Sequence, residues 1–350
     1  MQELLGRLRA LDPSASASLR VIACFDELMA GGVGTDGLLS AAAALAGHPV
    51  GVRRSPAATP IRVNPLGDRL AAADPTGIVR VVDGVTVWIE SASSEPTPNE
   101  AMIVERLALA LRLRYEMRDA PVRRDLAVLI DPDASTAERI EAGARRGLLP
   151  GIRYRAIAAP LFAIWTVHPR GPEDVASTPF GPVHVAIITE EAAVAAAPLG
   201  IGIPATVADL ALSFRTATVA LRLNDGGGAP PVRADDMGGL AEVLADAPLH
   251  ARPDGDEESV ARALAAHPWA ATTIEALVRA TSVREAARAT GIHHSTMTTR
   301  VGLLADEFGY APLEGLGRTR LTLAFFKHRL RTSHILELPA PAPAASVTVP

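Results

Sequence analysis

Apolar positions recur with helical spacing over Ala17 to Met29 and over Leu38 to Ala46, after which the chain turns to short extended pieces. The clearest extended signal is Val79 to Glu90. There, Asp83-Gly84 separates two β-branched runs and can supply the positive φ angles of a two-residue hairpin turn. Helices followed by a hairpin-bearing sheet predict an α+β module over residues 1–92. A longer helical stretch follows from Asn99 to Arg118, with Ile103, Leu107 and Leu111 four residues apart. That stripe fits either its own domain or a second copy of the chain.

Between residues 122 and 248 the pattern mixes strands (Tyr154 to Ala158, Val183 to Thr189) with helices (Ser135 to Arg146, Val207 to Leu223), predicting an α/β sandwich. Ser135 with Glu138 is a capping-box pair, and Gly147 is placed to end that helix. From 259 to 335 strand signal nearly vanishes, and at least four helical patterns succeed one another. Polar or proline-rich breaks at Ser91 to Asn99, Leu249 to Ser259 and Leu338 to Pro350 read as two linkers and a loose tail. No internal repeat is present.

Composition narrows the class. A chain of 350 residues with 48% apolar and 21% charged positions has the usage of a globular protein of two or three domains. The single cysteine, Cys24, excludes a disulfide-built module and reads as a small buried hydrophobe. The longest uncharged run, Ala192 to Ala208, contains Pro198 and Pro204 and falls short of the ~20 apolar residues of a membrane span. Met1 to Ala10 carries Glu3, Arg7 and Arg9 and lacks an apolar signal core, so a cytoplasmic location is expected.

Several chemistries find no support in the residues. Gly32, Gly34 and Gly37 spell G-x-G-x-x-G, but a helical pattern precedes them where a dinucleotide fingerprint needs a strand, so an interhelical turn is expected. Gly226 to Gly228 lacks the following lysine of a phosphate loop. Adjacent His293 and His294 would diverge on a helix, whereas helical metal pairs sit three or four residues apart. Asp26 and Glu27 would raise the pKa of Cys24, and no serine lies in a nucleophile elbow. Asp131, Asp133, Asp235 and Asp236 are what loops ordinarily contain. No catalytic residue, metal site or cofactor is expected, and the chain does not read as an enzyme.

The positive signal lies at Ser282 to Leu304, which has the form of two short helices around a tight turn. Ser282 and Glu285 make a capping box, Ala286 and Ala287 allow close helix approach, and Gly291 supplies the turn. Ile292 plugs the junction. Met297, Val301 and Leu304 make the inner face of the second helix, which leaves His294, Ser295, Thr298, Thr299 and Gly302 outside. Short hydrogen-bonding side chains suit a helix seated in the DNA major groove, with Arg284, Arg288 and Arg300 in reach of phosphates. Residues 268–335 carry nine Arg and Lys against five Asp and Glu, a net of +4 within a chain of net −5. A basic end on an acidic body is the electrostatic pattern of a phosphate-contacting module. Plain helical packing, or a dimerisation cap, would use the same pattern.

The run from Thr273 to Gly309, followed by Thr319 to Leu330, resembles the C-terminal domain of PucR-type regulators, also called CdaR-type or sugar-diacid-type transcriptional regulators. The resemblance rests on Ala286, Ala287, Gly291, Ile292, His293, Thr296, Arg300 and the helix Leu321 to Leu330. Ser295 and Thr299 depart from it, standing where asparagine and an aromatic residue are usual. Upstream, Gly200 to Leu223 looks like the strand-loop-helix of the degenerate GGDEF-like domain of that family, and the first segment is similar to its GAF-like regions. No Gly-Gly-Asp/Glu-Glu-Phe signature is present, so nucleotide cyclisation is not implied.

The resemblance implies a multidomain α+β protein: a GAF-like sensor-type domain (1–92), a connecting helix (93–121), a degenerate GGDEF-like α/β domain (122–248), an all-α helix-turn-helix domain (259–335) and a flexible tail (336–350). The expected function is sequence-specific binding of double-stranded DNA by a homodimer under the control of a small-molecule effector, with the Asn99 to Arg118 helix and the middle domain pairing two chains. Ser282, Arg284, Arg288, His293, His294, Ser295, Thr296, Thr298, Thr299 and Arg300 are the expected DNA-binding residues. Two rivals remain: a nucleotide-binding or enzymatic middle domain whose helical end is only an interaction cap, and a regulator whose helix-turn-helix has lost DNA binding.

Overall fold

The computed structural model describes residues 13–55, 58–91, 96–116, 125–226, 229–249 and 252–337. The chain is mixed α/β and divides into two compact units, residues 1–236 with 335–350, and residues 237–334. Most of the proline-rich tail, from residue 338, lies outside the described residues, as do 92–95 of the first break and Gly227 and Gly228.

In the first unit, α1 (Pro13–Ala30) and α2 (Thr35–Ala46) precede an antiparallel sheet of β1 (Val50–Arg53), β2 (Ile61–Val63), β3 (Arg69–Leu70), β4 (Ile78–Val82) and β5 (Val85–Ile89), ordered β3-β2-β1-β5-β4. Alternation along β1 and β5 sends Val50, Val52, Val85, Val87 and Ile89 into one core with Phe25, Leu28, Leu38 and Leu39. Asp83 at φ 47° and Gly84 at φ 82° form the expected tight turn, with Val82 opposite Val85. Next comes α3 (Pro98–Glu116), whose Ile103, Leu107 and Leu111 are fully buried in that same core. Its own sheet thus takes the apolar stripe, since the sheet's inner face needs cover. Of the two alternatives for that stripe, its own domain or a second chain, the fold shows the first, and the exposed large apolar side chains among the described residues of α3 are Leu109 and Leu113.

The second layer holds α4 (Asp125–Ile130), α5 (Thr136–Arg145), β6 (Tyr154–Ala159), β7 (Ile164–Val167), β8 (Glu173–Thr178), β9 (Gly181–Thr189), β10 (Ala195–Ala197), β11 (Gly200–Ile201), α6 (Leu210–Arg222) and β12 (Val232–Arg233). The main sheet runs β12-β11-β6-β9-β8, and β7 pairs with β10 in a separate ribbon. Helices α4 and α6 cover one face through Leu126, Leu129, Leu210, Phe214 and Ala217, and α5 adds Ala142 to the same core. Opposite them, Ile157, Ala186, Ile188 and Leu199 meet Trp165 and Val194 of the ribbon and its connection to β9. Burial on both faces explains why β9 reads as a continuous apolar run, whereas short β7, β10 and β12 carry no such signature. The Ser135–Glu138 capping box forms in both directions, and Gly147 takes φ 75° just after the helix.

The second unit consists of α7 (Gly239–Ala245), α8 (Gly255–Ala266), α9 (Ala270–Arg279), α10 (Val283–Thr290), α11 (His294–Phe308) and α12 (Gly317–Thr332). Val260, Ile274, Leu277, Ala286, Ala287, Met297, Leu304, Leu321 and Phe325 form its core. The linker expected over Leu249 to Ser259 is corrected in its second half, where Asp254 caps α8 in a capping box with Glu257. A charged, glycine-containing stretch becomes helical because its carboxylates find cations on α12. Among the described residues no helix is long and apolar enough to cross a membrane.

Candidate nucleic-acid interface

Local chemistry sets the α10–α11 pair. The Ser282 hydroxyl accepts the Glu285 amide at 3.2 Å, starting α10. Its partner carboxylate reaches one residue further back than a capping box requires, accepting from the Thr281 amide and hydroxyl at 2.8 and 2.7 Å, which holds Glu285 below the usual carboxylate range. Gly291 ends α10 in the left-handed region at φ 69°, and the Ile292 amide donates back to the Ala287 carbonyl. His293 caps α11, its Nδ1 accepting from the Ser295 amide at 3.3 Å and lying 2.8 Å from the Ser295 hydroxyl.

On α11, Met297, Leu304 and Phe308 are buried, while His294, Ser295, Thr296, Thr298, Thr299 and Gly302 are exposed. The Thr298 hydroxyl donates to the His294 carbonyl at 3.0 Å, and that of Thr299 to the Ser295 carbonyl at 3.1 Å. Arg284 and Arg288, four residues apart on α10, are both exposed on the side away from buried Ala286 and Ala287. Arg300 stands apart from this group. Half-buried, it donates to the Thr273 hydroxyl at 3.2 Å and lies over the Trp269 ring at 5.0 Å, bracing α11 against α9. The expected set is therefore split, with nine residues outward or capping and Arg300 turned inward.

The positive charge of the helical end is also redistributed. Residues 237–334 contain eleven Arg and Lys and eleven Asp and Glu, a net of zero, because the unit includes the acidic stretch before residue 268. Lys327, the chain's single lysine, contacts Asp254 at 2.6 Å and Glu257 at 2.8 Å. Arg331 reaches Glu257 at 3.3 Å, and Arg320 reaches Asp256 at 2.7 Å. Arg318 donates to the Leu277, Ala280 and Thr281 carbonyls at the end of α9. Much of the basicity of α12 is thus spent inside the unit, whereas Arg284 and Arg288 of α10 are exposed.

A second cluster escaped sequence reasoning, because its members come from four separate segments. Glu27 of α1 lies 2.8 Å from His168 Nε2, His168 Nδ1 lies 3.6 Å from Glu173, and Glu173 lies 2.9 Å from His184. The Trp165 ring sits 5.3 Å from both imidazoles. His168 spends its two nitrogens in opposite directions, so the donors do not converge. Among the described residues no group of three or more His, Cys, Asp or Glu is placed to hold a metal ion.

The glycine-rich turn between α1 and α2 lies against the same strand. A side chain at Gly31 would overlap the Glu173 carboxylate, and one at Gly37 would overlap Asp174. Asp174 accepts from the amides of Val175 and Gly34, and burial raises its pKa above the usual aspartate value. An internal carboxylate thus takes the place at the start of α2 that a phosphate would need. Cys24 is buried nearby in sequence, its thiol pushed up to about 12 by burial and then by Glu27.

No family model and no curated protein matches this chain. A solved structure of a regulator of polyketide synthase expression from Bifidobacterium adolescentis is similar at 14% identity and a TM-score of 0.27, over 60% of this chain and 98% of that one. A score at that level does not establish a shared fold.

Proposed function

We propose that this chain is a transcriptional regulator of the PucR/CdaR type that binds double-stranded DNA through α10 and α11 as a helix-turn-helix. The observation that carries the reading is the outward face of α11, where His294, Ser295, Thr298 and Thr299 stand exposed, as do Arg284 and Arg288 on the preceding α10. Such a face offers hydrogen-bonding groups to base edges and two cations to flanking phosphates. In this reading residues 1–92 are GAF-like, 122–248 are a degenerate GGDEF-like layer without catalysis, and the helical end is the DNA-binding domain. A homodimer would set two copies of α11 in successive major grooves, and a small-molecule effector would favour one dimer arrangement over another.

The test is selection of bound genomic fragments by the full-length protein at two salt concentrations, repeated with Arg284→Ala/Arg288→Ala. A recurring two-fold-symmetric motif, weakened in the variant, is the expected result. Retention of fragments without any shared sequence at either salt concentration would overturn it.

A further inference from the structure

The exposed face of α11 is unusual in what it lacks. None of His294, Ser295, Thr298, Thr299 and Gly302 is an arginine, lysine, asparagine or glutamine, the side chains that grip guanine or adenine with two hydrogen bonds. The one arginine of the helix, Arg300, is held by Thr273 and Trp269. Because the hydroxyl protons of Thr298 and Thr299 are given to helix carbonyls, these side chains offer only oxygen lone pairs and methyl groups outward.

Gly302 adds an independent observation. It lies in the interior of α11, is exposed, and a Cβ there would meet nothing within 4 Å. Its φ is not in the left-handed region, so neither the backbone nor internal packing requires glycine. A mid-helix glycine nevertheless weakens the helix relative to alanine. Thr298 and Thr299 lie four and three residues before it and therefore border the same open spot.

Resting on the DNA-binding reading above, we infer that Thr298, Thr299 and Gly302 form a shallow socket for the 5-methyl group of thymine, making this helix a reader of A·T pairs rather than of guanine. The two threonine methyls flank the thymine methyl, and the missing side chain at Gly302 lets the base edge approach. Threonine oxygens accept from the adenine amino group, whereas the O6 and N7 acceptors of guanine would face them without a proton to share.

The experiment uses the full-length protein and the duplexes recovered in the selection. Each thymine is replaced in turn by uracil, and each guanine by 7-deazaguanine. Loss of the critical methyl should weaken binding about four-fold, while 7-deazaguanine leaves it unchanged. Gly302→Ala should weaken binding to the same duplexes while its melting temperature equals or exceeds that of the parent. Specific binding that is indifferent to uracil at every position, or that depends on guanine N7, would overturn the socket and leave the DNA-binding reading standing. Equal binding to selected and scrambled duplexes would overturn both.

Discussion

The Glu173 carboxylate and the His184 imidazole meet at 2.9 Å with each side chain only 3% exposed. They join neighbouring strands, and Glu173 also closes against Gly31 at the end of α1. One contact therefore ties the first helical pair to the second sheet. The near-complete burial of the pair makes it a structural tie, with His168 and Glu27 extending it toward the surface.

Glu173→Gln should destabilise the protein by roughly 1–3 kcal/mol, the cost of leaving a buried partner poorly satisfied. Gly31→Ala should also destabilise, through overlap with Glu173, and much less so in a Glu173→Ala background. Urea midpoints of the two single variants and the double variant check this coupling.

Asp174→Asn should stabilise at neutral pH. Burial raises the folded-state pKa of Asp174, so its contribution to stability is present below its unfolded value and is lost as pH rises through the folded one. The asparagine variant lacks that loss, so its advantage should grow with pH and vanish below the ordinary aspartate range. Urea stability measured from acid to neutral pH reads the slope, and an advantage that shrank with rising pH would contradict the assignment.

Arg300→Ala and the Arg284/Arg288 pair should separate cleanly. Removing Arg300 deletes a ring contact and a hydrogen bond inside the helical unit, at a cost of about 1–2 kcal/mol in stability. Arg284→Ala and Arg288→Ala should leave the melting temperature near that of the parent, weaken binding to all duplexes alike and reduce the salt slope by about one each. Melting curves and salt titrations of the three variants distinguish the roles.

Lys327→Met should destabilise the helical unit by roughly 1–3 kcal/mol at neutral pH, since Lys327 serves two carboxylates. Its hydrogen bond holds Asp254 below the usual range; at Glu257, burial opposes ionisation but the bonds from Lys327 and Arg331 prevail. Carboxylates with depressed values contribute stability above their unfolded pKa and lose it as pH falls through the folded one. The difference between variant and parent should accordingly shrink in acid, which denaturation at neutral and acidic pH would show.

Local chemistry was legible wherever neighbours in sequence are neighbours in space. Asp83-Gly84, the Ser135–Glu138 box, Gly147, Gly291 and the inward face of α11 all follow from spacing, because turns, caps and helix faces are decided within a few residues. The sequence by itself therefore determined the longer helices, the β4–β5 hairpin, β6 and β9, the α10–α11 pair and which face of α11 is exposed, whereas the short helices α4 and α7 and strand β8 were not legible in it. Only the tertiary structure decided which charges remain available. Arg300 turns to a threonine and a tryptophan some thirty residues earlier, and α12 gives its cations to α8 across more than sixty residues. It also decided why Gly37 of the G-x-G-x-x-G turn, and Gly31 just before it, must be small: Asp174 and Glu173 arrive from β8, well over a hundred residues away, and pack against them. Periodicity records which side of an element faces inward, whereas the partner met there depends on how distant segments pack.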